Sequence, residues 1–164
     1  MGVNAFLRVD ECTFCSELVI NRMRFYEDTN FNAIYNLRPV VPGHCMVVPK
    51  RHVKTTFDLN AEERSTLASF INRAIFIALK YARAYSFNMM LQVGEASGQS
   101  IEHLHFHLMP RKPDDKFNEG GGDWYHAFQR EEHRRDALTN EEIKTIIGEL
   151  RAIADRHEMQ LGTL

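Results

Sequence analysis

Three histidines, His103, His105 and His107, alternate with apolar residues late in the chain. Because successive side chains of a strand point to opposite faces, this spacing predicts three imidazoles on one face and a buried apolar set on the other. Three aligned imidazoles can bind a metal ion, or supply nucleophilic and acid–base catalysis near neutral pH. The alternative is a solvent-exposed strand that merely contains histidines, but such a strand has no physical reason to use histidine three times in succession.

A polar loop that contains glycines, residues 94–100, lies just upstream of these histidines. Glycine allows close approach of the backbone, and backbone N–H groups can face an anion. An ordinary hairpin connection is the default interpretation of such a loop. Its position beside three histidines favours phosphate binding instead.

The composition disfavours several classes of protein. The chain has 164 residues, which suits one domain with a sizeable core, and its net charge of -2 disfavours a strongly basic nucleic-acid binder. It contains no apolar run long enough to span a membrane, and its first residues lack the basic and apolar regions of a secretory signal. Three cysteines, an odd number, disfavour a disulfide framework. These features predict a soluble, cytoplasmic protein with a single domain over residues 1–164.

Strands that can position the histidines are predicted on both sides of a long helix. Their connections in the first part of the chain are short, which favours an antiparallel sheet of about five strands in an α+β domain. The domain core is expected over about residues 12–111. The predicted strands are Arg24–Asp28, Phe31–Asn36, His44–Val48, Phe87–Val93 and His103–Met109.

Two helices have clear sequence signals. The longer one runs from Ala61 to about residue 84, since residues 60–63 have the spacing of a capping box and apolar residues follow at helical intervals. A C-terminal helix is predicted over residues 139–156, where residues 139–142 again match a capping box. Residues 112–137 between them are polar and contain three consecutive glycines, so a mobile surface segment is expected there.

Two motifs together resemble the histidine triad (HIT) family of nucleotide hydrolases and transferases. The first is the triad at residues 103–107 with its Gly-Gln-Ser entry at residues 98–100, and the second is the turn Pro42-Gly43-His44 that leads into a strand. The likeness extends from about Cys12 to Arg111. Residues 36–44 look most like the fragile-histidine-triad branch, which cleaves dinucleoside polyphosphates. The resemblance therefore implies hydrolysis at the α-phosphate of a dinucleotide substrate.

Cleavage of a phosphoanhydride suits a neutral imidazole, which can attack phosphorus without first losing a proton from the attacking nitrogen. His105 has an imidazole neighbour on each side, and the resemblance also implies that it is the nucleophile. The resemblance further implies that His107 donates to phosphate or leaving-group oxygens and that His44 supports the nucleophile ring by a hydrogen bond. The residues predicted to bind substrate are Asn36, Gln92, Gly98, Gln99, Ser100, Ile101, His107 and Tyr125.

Other functions remain open from the sequence. A covalent intermediate can pass to acceptors other than water, so a nucleotidyltransferase or an enzyme that acts on phosphoramidates or adenylylsulfate is an alternative. A nucleotide-binding regulator with incidental turnover is another. The resemblance also implies a homodimer formed by the long helix and an edge strand, and Phe76, Ile77 and Tyr81 widen the apolar surface of that helix. The alternative is that the helix buries this surface in its own core.

A structural zinc site is predicted from four residues, Cys12, Cys15, His52 and His103. The Cys-x-x-Cys spacing is typical of metal or redox sites, and the resemblance implies that zinc is held by this pair, a distal histidine and the first triad histidine. Zinc would then join the N-terminal segment to the catalytic strand and leave His105 for chemistry. Two buried free thiols are the alternative, and Cys45, in an apolar strand, is interpreted as a core residue.

Overall fold

A computed structural model of the chain describes residues 12–115 and 136–161. Within these ranges it contains three α-helices and five β-strands, with short 3-10 turns between some of them. The elements in chain order are α1 Glu17–Met23, β1 Arg24–Glu27, β2 Phe31–Tyr35, β3 Cys45–Pro49, α2 Ala61–Ala82, β4 Ser86–Leu91, β5 Phe106–Arg111 and α3 Asn140–Leu161.

The five strands form one sheet in the order β1-β2-β3-β5-β4, and every neighbouring pair is antiparallel. The predicted α+β fold with an antiparallel sheet is therefore confirmed. Since α2 carries the chain from β3 to the far edge, β5 returns between β4 and β3. This order places Met46 of β3 directly opposite His107 of β5. The first-half turn and the histidine motif thus meet in the middle of the sheet.

Each face of the sheet is covered by a different part of the chain. The inward side chains of one face, among them Phe31, Val47 and Leu108, pack with α2 and α3 in the main core. On the opposite face, Ile34 and Met46 pack with α1 and with the segment that precedes it. Because alternate residues of a strand point to opposite faces, the partner pair Met46 and His107 lies on this second face.

The predicted capping boxes are present at both long helices. Asn60 and Glu63 bond reciprocally at the start of α2, and Thr139 and Glu142 do so before α3. Helix α2 ends at Ala82, two residues earlier than predicted, because the next residue adopts a left-handed conformation with φ of 53°. Helix α3 continues to Leu161, beyond the predicted end at residue 156. Among the described residues, no helix combines the length and apolarity that a membrane span requires.

The histidine strand is shorter than predicted. Strand β5 begins at Phe106, so His103 and His105 precede it, whereas His107 lies within it. The cause is a long-range contact: the N–H of Leu104 donates to the carbonyl of Val53 at 2.7 Å instead of joining the ladder with β3. The alternation nevertheless persists, since Leu104, Phe106 and Leu108 all lie in the main core below α2.

Candidate active site and metal centre

A cleft of about 340 Å³ opens on the face of the sheet that carries α1. Five of the predicted site residues line it: Asn36, Ser100, Ile101, His105 and His107. The rest of the wall is mostly apolar, and a largely apolar pocket with a few convergent polar groups is typical of a small-molecule site. The apolar lining residues are Phe14, Val19, Met23, Ile34, Leu37 and Met46.

The ring of His105 is buried, and its Nδ1 lies 2.7 Å from the carbonyl oxygen of His103. Because a carbonyl oxygen only accepts hydrogen bonds, Nδ1 carries the hydrogen and Nε2 keeps its lone pair. Burial lowers the pKa of His105, while the bond to the carbonyl opposes that shift. The site therefore holds His105 as a neutral imidazole with an unprotonated Nε2.

A second chain of hydrogen bonds fixes the tautomers of His44 and His107. The backbone N–H of Val40 donates to Nδ1 of His44 at 3.2 Å, so the hydrogen of His44 is on Nε2. That Nε2 donates to Nδ1 of His107 at 2.9 Å, which places the hydrogen of His107 on its own Nε2. Burial, followed by the neighbouring His105, lowers the pKa of His107 to about 3. His107 is therefore a neutral N–H donor beside the His105 ring, at 5.1 Å between centroids.

His44 is presented by a tight turn over residues 41–44. The N–H of His44 donates to the carbonyl of Val41 at 3.1 Å, and Gly43 has φ of 85°, as the third position of a type II turn requires. The N–H of Gly43 also donates to the Tyr35 hydroxyl at 3.2 Å. The resemblance implies a hydrogen bond from His44 to the nucleophile ring of His105, whereas in the structure Nε2 of His44 bonds to His107. The cause is the sheet order, which sets β3 directly beside β5.

The loop before the histidines is held by its own side chains. The side-chain amide of Gln92 donates to the carbonyl of Ser97 at 2.7 Å, and the Gln99 side chain accepts from the N–H of Gly94 at 2.7 Å. The N–H groups of Gly98 and Gln99 also donate within the loop. Gln92, Gly98 and Gln99 do not line the cleft.

Ser100 and Ile101, the next two residues along the loop, do line the cleft. Their N–H groups have no hydrogen-bond acceptor among the described residues, so both remain able to bind an anion. Of the residues 98–101 that are predicted to bind phosphate, Ser100 and Ile101 line the cleft.

Asn36 lies at the end of β2 and lines the cleft. Its side-chain oxygen accepts the N–H of Arg38 at 2.8 Å, which forms an Asx turn, and its amide nitrogen lies 3.4 Å from Nε2 of His44. The Asx turn holds Asn36 in place next to the His44–His107 pair, whereas the 3.4 Å approach joins two donors and is not a hydrogen bond. Tyr125, the other predicted substrate-binding residue, lies outside the described residues, as does most of the predicted mobile segment.

The four predicted metal ligands lie together in the structure. Their candidate ligand atoms all lie within 4.8 Å of one another. Nδ1 of His103 is 3.5 Å from Sγ of Cys12 and 3.6 Å from Sγ of Cys15, and Nδ1 of His52 is 3.2 Å from Sγ of Cys15. Zinc bond lengths of about 2.3 Å to sulfur and about 2.0 Å to nitrogen, at tetrahedral angles, require S···N separations of about 3.6 Å. The donor set and its spacing fit a tetrahedral zinc ion.

Neighbouring contacts orient the ring of His103 and anchor the residue that precedes His52. Nε2 of His103 donates to the carbonyl of Pro49 at 2.9 Å, which leaves Nδ1 unprotonated on the side of the two thiols. His52 follows Arg51, whose guanidinium pairs at 2.7 Å with Glu63 of the α2 capping box. Cys45, by contrast, is fully buried in the main core, as its apolar strand predicts.

Phe14 connects the metal ligands to the predicted nucleophile. It lies between Cys12 and Cys15 in sequence, and its ring packs edge-on against His105 at 5.3 Å and against His103 at 5.8 Å. The carbonyl of His103 meanwhile orients the His105 ring. Phe14 is not among the predicted site residues, although its place between two candidate ligands is a signal that it lies near the site.

Comparison with known proteins decides the family. The sequence model of the HIT domain matches residues 17–114, more than half of the chain. The chain belongs to the HIT domain family. The predicted resemblance is therefore confirmed, and the triad, the Pro-Gly-His turn and the glycine loop all lie within the matched residues.

Relatives of this HIT domain include named enzymes. A bis(5'-adenosyl)-triphosphatase of Dictyostelium discoideum is 30% identical over 148 residues, which cover 89% of this chain and 95% of that protein. An AP-4-A phosphorylase of Mycobacterium tuberculosis is 42% identical over 80 residues, 48% of this chain and only 41% of that protein. A Zn-bound histidine triad family protein from Mycobacterium smegmatis has a solved structure that matches with a TM-score of 0.68 and 26% identity, covering 93% of this chain and 99% of that one.

Proposed function

We propose that this HIT domain hydrolyses dinucleoside polyphosphates at an α-phosphate, through a covalent nucleotidyl intermediate on His105. The observation that carries the proposal is the 2.7 Å bond from Nδ1 of His105 to the His103 carbonyl, which leaves an unprotonated Nε2 at the cleft wall. The name of the Dictyostelium relative, a bis(5'-adenosyl)-triphosphatase, supports the substrate class. The cleft volume of about 340 Å³ is in the range of small-molecule sites.

In the first step, the lone pair on Nε2 of His105 forms a P–N bond to the α-phosphorus. The P–O bond to the leaving nucleotide breaks, and the oxygen of that nucleotide takes the electron pair. In the second step, a water oxygen bonds to the same phosphorus, its proton passes to solvent, and the P–N electron pair returns to Nε2. A nucleoside monophosphate is released, and His105 regains its starting state.

The other cleft residues have roles that follow from their hydrogen-bonding groups. His107 donates its Nε2 hydrogen to a phosphate oxygen, and His44 keeps that hydrogen in place by occupying Nδ1 of His107. The N–H groups of Ser100 and Ile101 and the Ser100 hydroxyl bind the same phosphate. Asn36 contacts the ribose side, while the apolar wall with Phe14 covers the base. Gln92 contributes by holding the glycine loop through Ser97.

A substrate panel tests this proposal. Wild type and His105→Ala are incubated with diadenosine triphosphate, diadenosine tetraphosphate, adenosine phosphoramidate and adenylylsulfate, and the products are separated by chromatography. Rapid release of AMP from the dinucleotides by wild type alone supports the proposal. Preference for the phosphoramidate or the adenylylsulfate contradicts the substrate class. Equal turnover by His105→Ala contradicts the mechanism.

Phosphorolysis is a second candidate, because the name of the Mycobacterium tuberculosis relative is AP-4-A phosphorylase. If inorganic phosphate replaces water in the second step, the nucleotidyl group on His105 leaves as a nucleoside diphosphate. The two functions differ only in the acceptor. Adding inorganic phosphate to the diadenosine tetraphosphate reaction distinguishes them, since a phosphorylase then forms ADP in place of AMP.

We propose that Cys12, Cys15, His52 and His103 bind a structural zinc ion. The S···N distances of 3.2–3.6 Å in the cluster support it, and so does the zinc in the Mycobacterium smegmatis structure. Zinc would supply a rigid link between the segment before α1 and the segment before β5. The catalytic steps remain with His105 and His107.

We also infer a homodimer that forms through the sheet edge at β4. Among the described strands, β4 pairs with β5 alone, and its exposed side chains Phe87, Met89 and Leu91, with Val93 just beyond, present an apolar row at that edge. The helical part of the sequence prediction needs a correction. Ile77 is 2% exposed and belongs to the chain's own core, so it cannot contact a second copy.

A further inference from the structure

The cleft wall contains one charged side chain among the described residues, that of Arg38. Arg38 is exposed, and within the described part of the chain it forms neither an ion pair nor a side-chain hydrogen bond. The exposed Arg38 thus lines the same cleft as the buried rings of His105 and His107. An arginine in this position can pair with a negatively charged group of a bound ligand, since no acidic residue is among the described residues that line the cleft.

The backbone around Arg38 is fixed on both sides. The Asn36 side chain accepts the N–H of Arg38 at 2.8 Å, and the carbonyl of Leu37 accepts the N–H of Leu138 at 3.0 Å. The N–H of Asn36 in turn donates to the carbonyl of His44 at 3.0 Å. Because these bonds hold residues 36–38 to the turn that carries His44, the backbone of Arg38 has a fixed position relative to the His44–His107 pair, and its side chain extends from that point.

A dinucleoside polyphosphate carries several negative charges, which a cationic side chain such as that of Arg38 can bind. Only one of its phosphates sits at the nucleophile, and the leaving nucleotide carries the remaining phosphates and takes the electron pair when the bond breaks. Of the two buried cleft imidazoles, His107 offers one hydrogen-bond donor and His105 offers a lone pair, so neither supplies a positive charge. A guanidinium matches phosphate oxygens with paired donors and keeps its charge at every relevant pH.

We propose that Arg38 binds the polyphosphate of the leaving group and so makes this site selective for substrates whose leaving group carries phosphate. This inference rests on the proposed hydrolysis at the α-phosphate, and it identifies the side chain that contacts the phosphates of the leaving nucleotide. Arg38 should increase neither the binding affinity nor the cleavage rate of substrates whose leaving group is neutral. The residue therefore sets the preference between dinucleoside polyphosphates and nucleoside phosphoramidates.

Kinetics with two substrates test the proposal. Single-turnover rates and kcat/KM are measured on diadenosine tetraphosphate and on adenosine phosphoramidate for wild type, Arg38→Gln, Arg38→Lys and Arg156→Gln. Arg156 is an exposed arginine of α3 outside the cleft wall, so its variant controls for the change in net charge. Loss of a charge-assisted hydrogen bond at an exposed site predicts a fall of about tenfold in kcat/KM for the tetraphosphate in Arg38→Gln. The phosphoramidate rate should change by less than about twofold, and Arg38→Lys should recover part of the loss.

Binding measurements decide the proposal even if wild type cleaves neither substrate. Calorimetric titration compares AMP with adenosine tetraphosphate, each at low and at high salt. Arg38→Gln should weaken tetraphosphate binding about tenfold, leave AMP binding unchanged and reduce the salt dependence of the tetraphosphate affinity. Equal effects on both nucleotides, or no effect on either, overturn the assignment of Arg38. Absence of turnover with normal binding selectivity overturns only the proposed hydrolysis.

Discussion

Replacement of Gly43 by alanine should destabilise the protein strongly, because this glycine forms the turn that presents His44. Its φ is 85°, a region that residues with a side chain rarely occupy. A Cβ at this position would lie 2.8 Å from Cγ of Pro110, 3.0 Å from the carbonyl oxygen of Ala78 and 3.2 Å from Cβ of Ala82. These neighbours belong to β5 and to α2, and neither a proline ring nor a helix backbone moves aside easily.

The expected loss is the sum of two contributions. A left-handed conformation costs an alanine about 1–2 kcal/mol, and overpacking of a filled site costs about 1–3 kcal/mol. We therefore expect Gly43→Ala to lower the free energy of unfolding by about 2–5 kcal/mol, a large share of the stability of an ordinary domain. Urea unfolding followed by circular dichroism measures it.

Two other glycines serve as controls for this experiment. Gly94 has φ of 84°, but a Cβ added there would meet nothing within 4 Å, so Gly94→Ala reports backbone strain in an exposed loop without the clash. Gly148 lies within α3 and is equally open, so Gly148→Ala should stabilise the protein by about 0.5–1 kcal/mol through helix propensity. A loss at Gly43 no larger than the roughly 1–2 kcal/mol of backbone strain alone would refute the packing argument for the His44 turn.

Three further predictions concern proton binding, metal binding and assembly. The pKa of His107 is about 3 in the folded protein and about 6.5 in the unfolded chain. Below about pH 6.5 the unfolded chain therefore binds one more proton than the folded protein, and the free energy of unfolding decreases as the pH is lowered. Urea unfolding at several pH values between 7 and 4.5 tests this. Below about pH 6.5, the free energy of unfolding of His107→Gln should decrease less steeply than that of wild type, by about 1.4 kcal/mol per pH unit. Elemental analysis should find zinc in wild type and in Cys45→Ala but much less in Cys15→Ser. Equal zinc contents in the two variants would contradict zinc binding by the Cys12–Cys15–His52–His103 cluster. Met89→Glu should convert a dimer to a monomer in light scattering, and an unchanged mass would exclude the β4 edge as the interface.

Much of this fold follows from local patterns. The period of two at residues 103–108 predicts which side chains enter the core, and the capping boxes at residues 60–63 and 139–142 predict where two helices begin. These signals are reliable because each depends on residues that are close in sequence. The Cys-x-x-Cys pair and the three histidines likewise indicate a metal or catalytic site through residue type and spacing, whereas the full zinc ligand set and the role of His105 rest on the family resemblance.

Other features depend on contacts between distant parts of the chain. The start of β5 is set by the bond between Leu104 and Val53, and the partner of His44 is set by the order of β3 and β5 in the sheet. Burial of Ile77 depends on how α2 packs on the sheet. The position of Arg38 follows from an Asx turn at Asn36 that only the folded loop reveals. Local sequence patterns contain none of this information.

The most direct test of the proposed function is detection of the covalent intermediate on His105. The protein is mixed with excess diadenosine tetraphosphate, stopped within the first turnover in alkaline denaturant because P–N bonds are labile in acid, and digested for mass spectrometry. The mechanism predicts one adenylyl group on the peptide that contains His105, and its absence in His105→Ala together with a fall in turnover of about a thousandfold or more. An adduct on another residue, or rapid turnover by His105→Ala with no adduct at all, would contradict the assignment of His105 as the nucleophile.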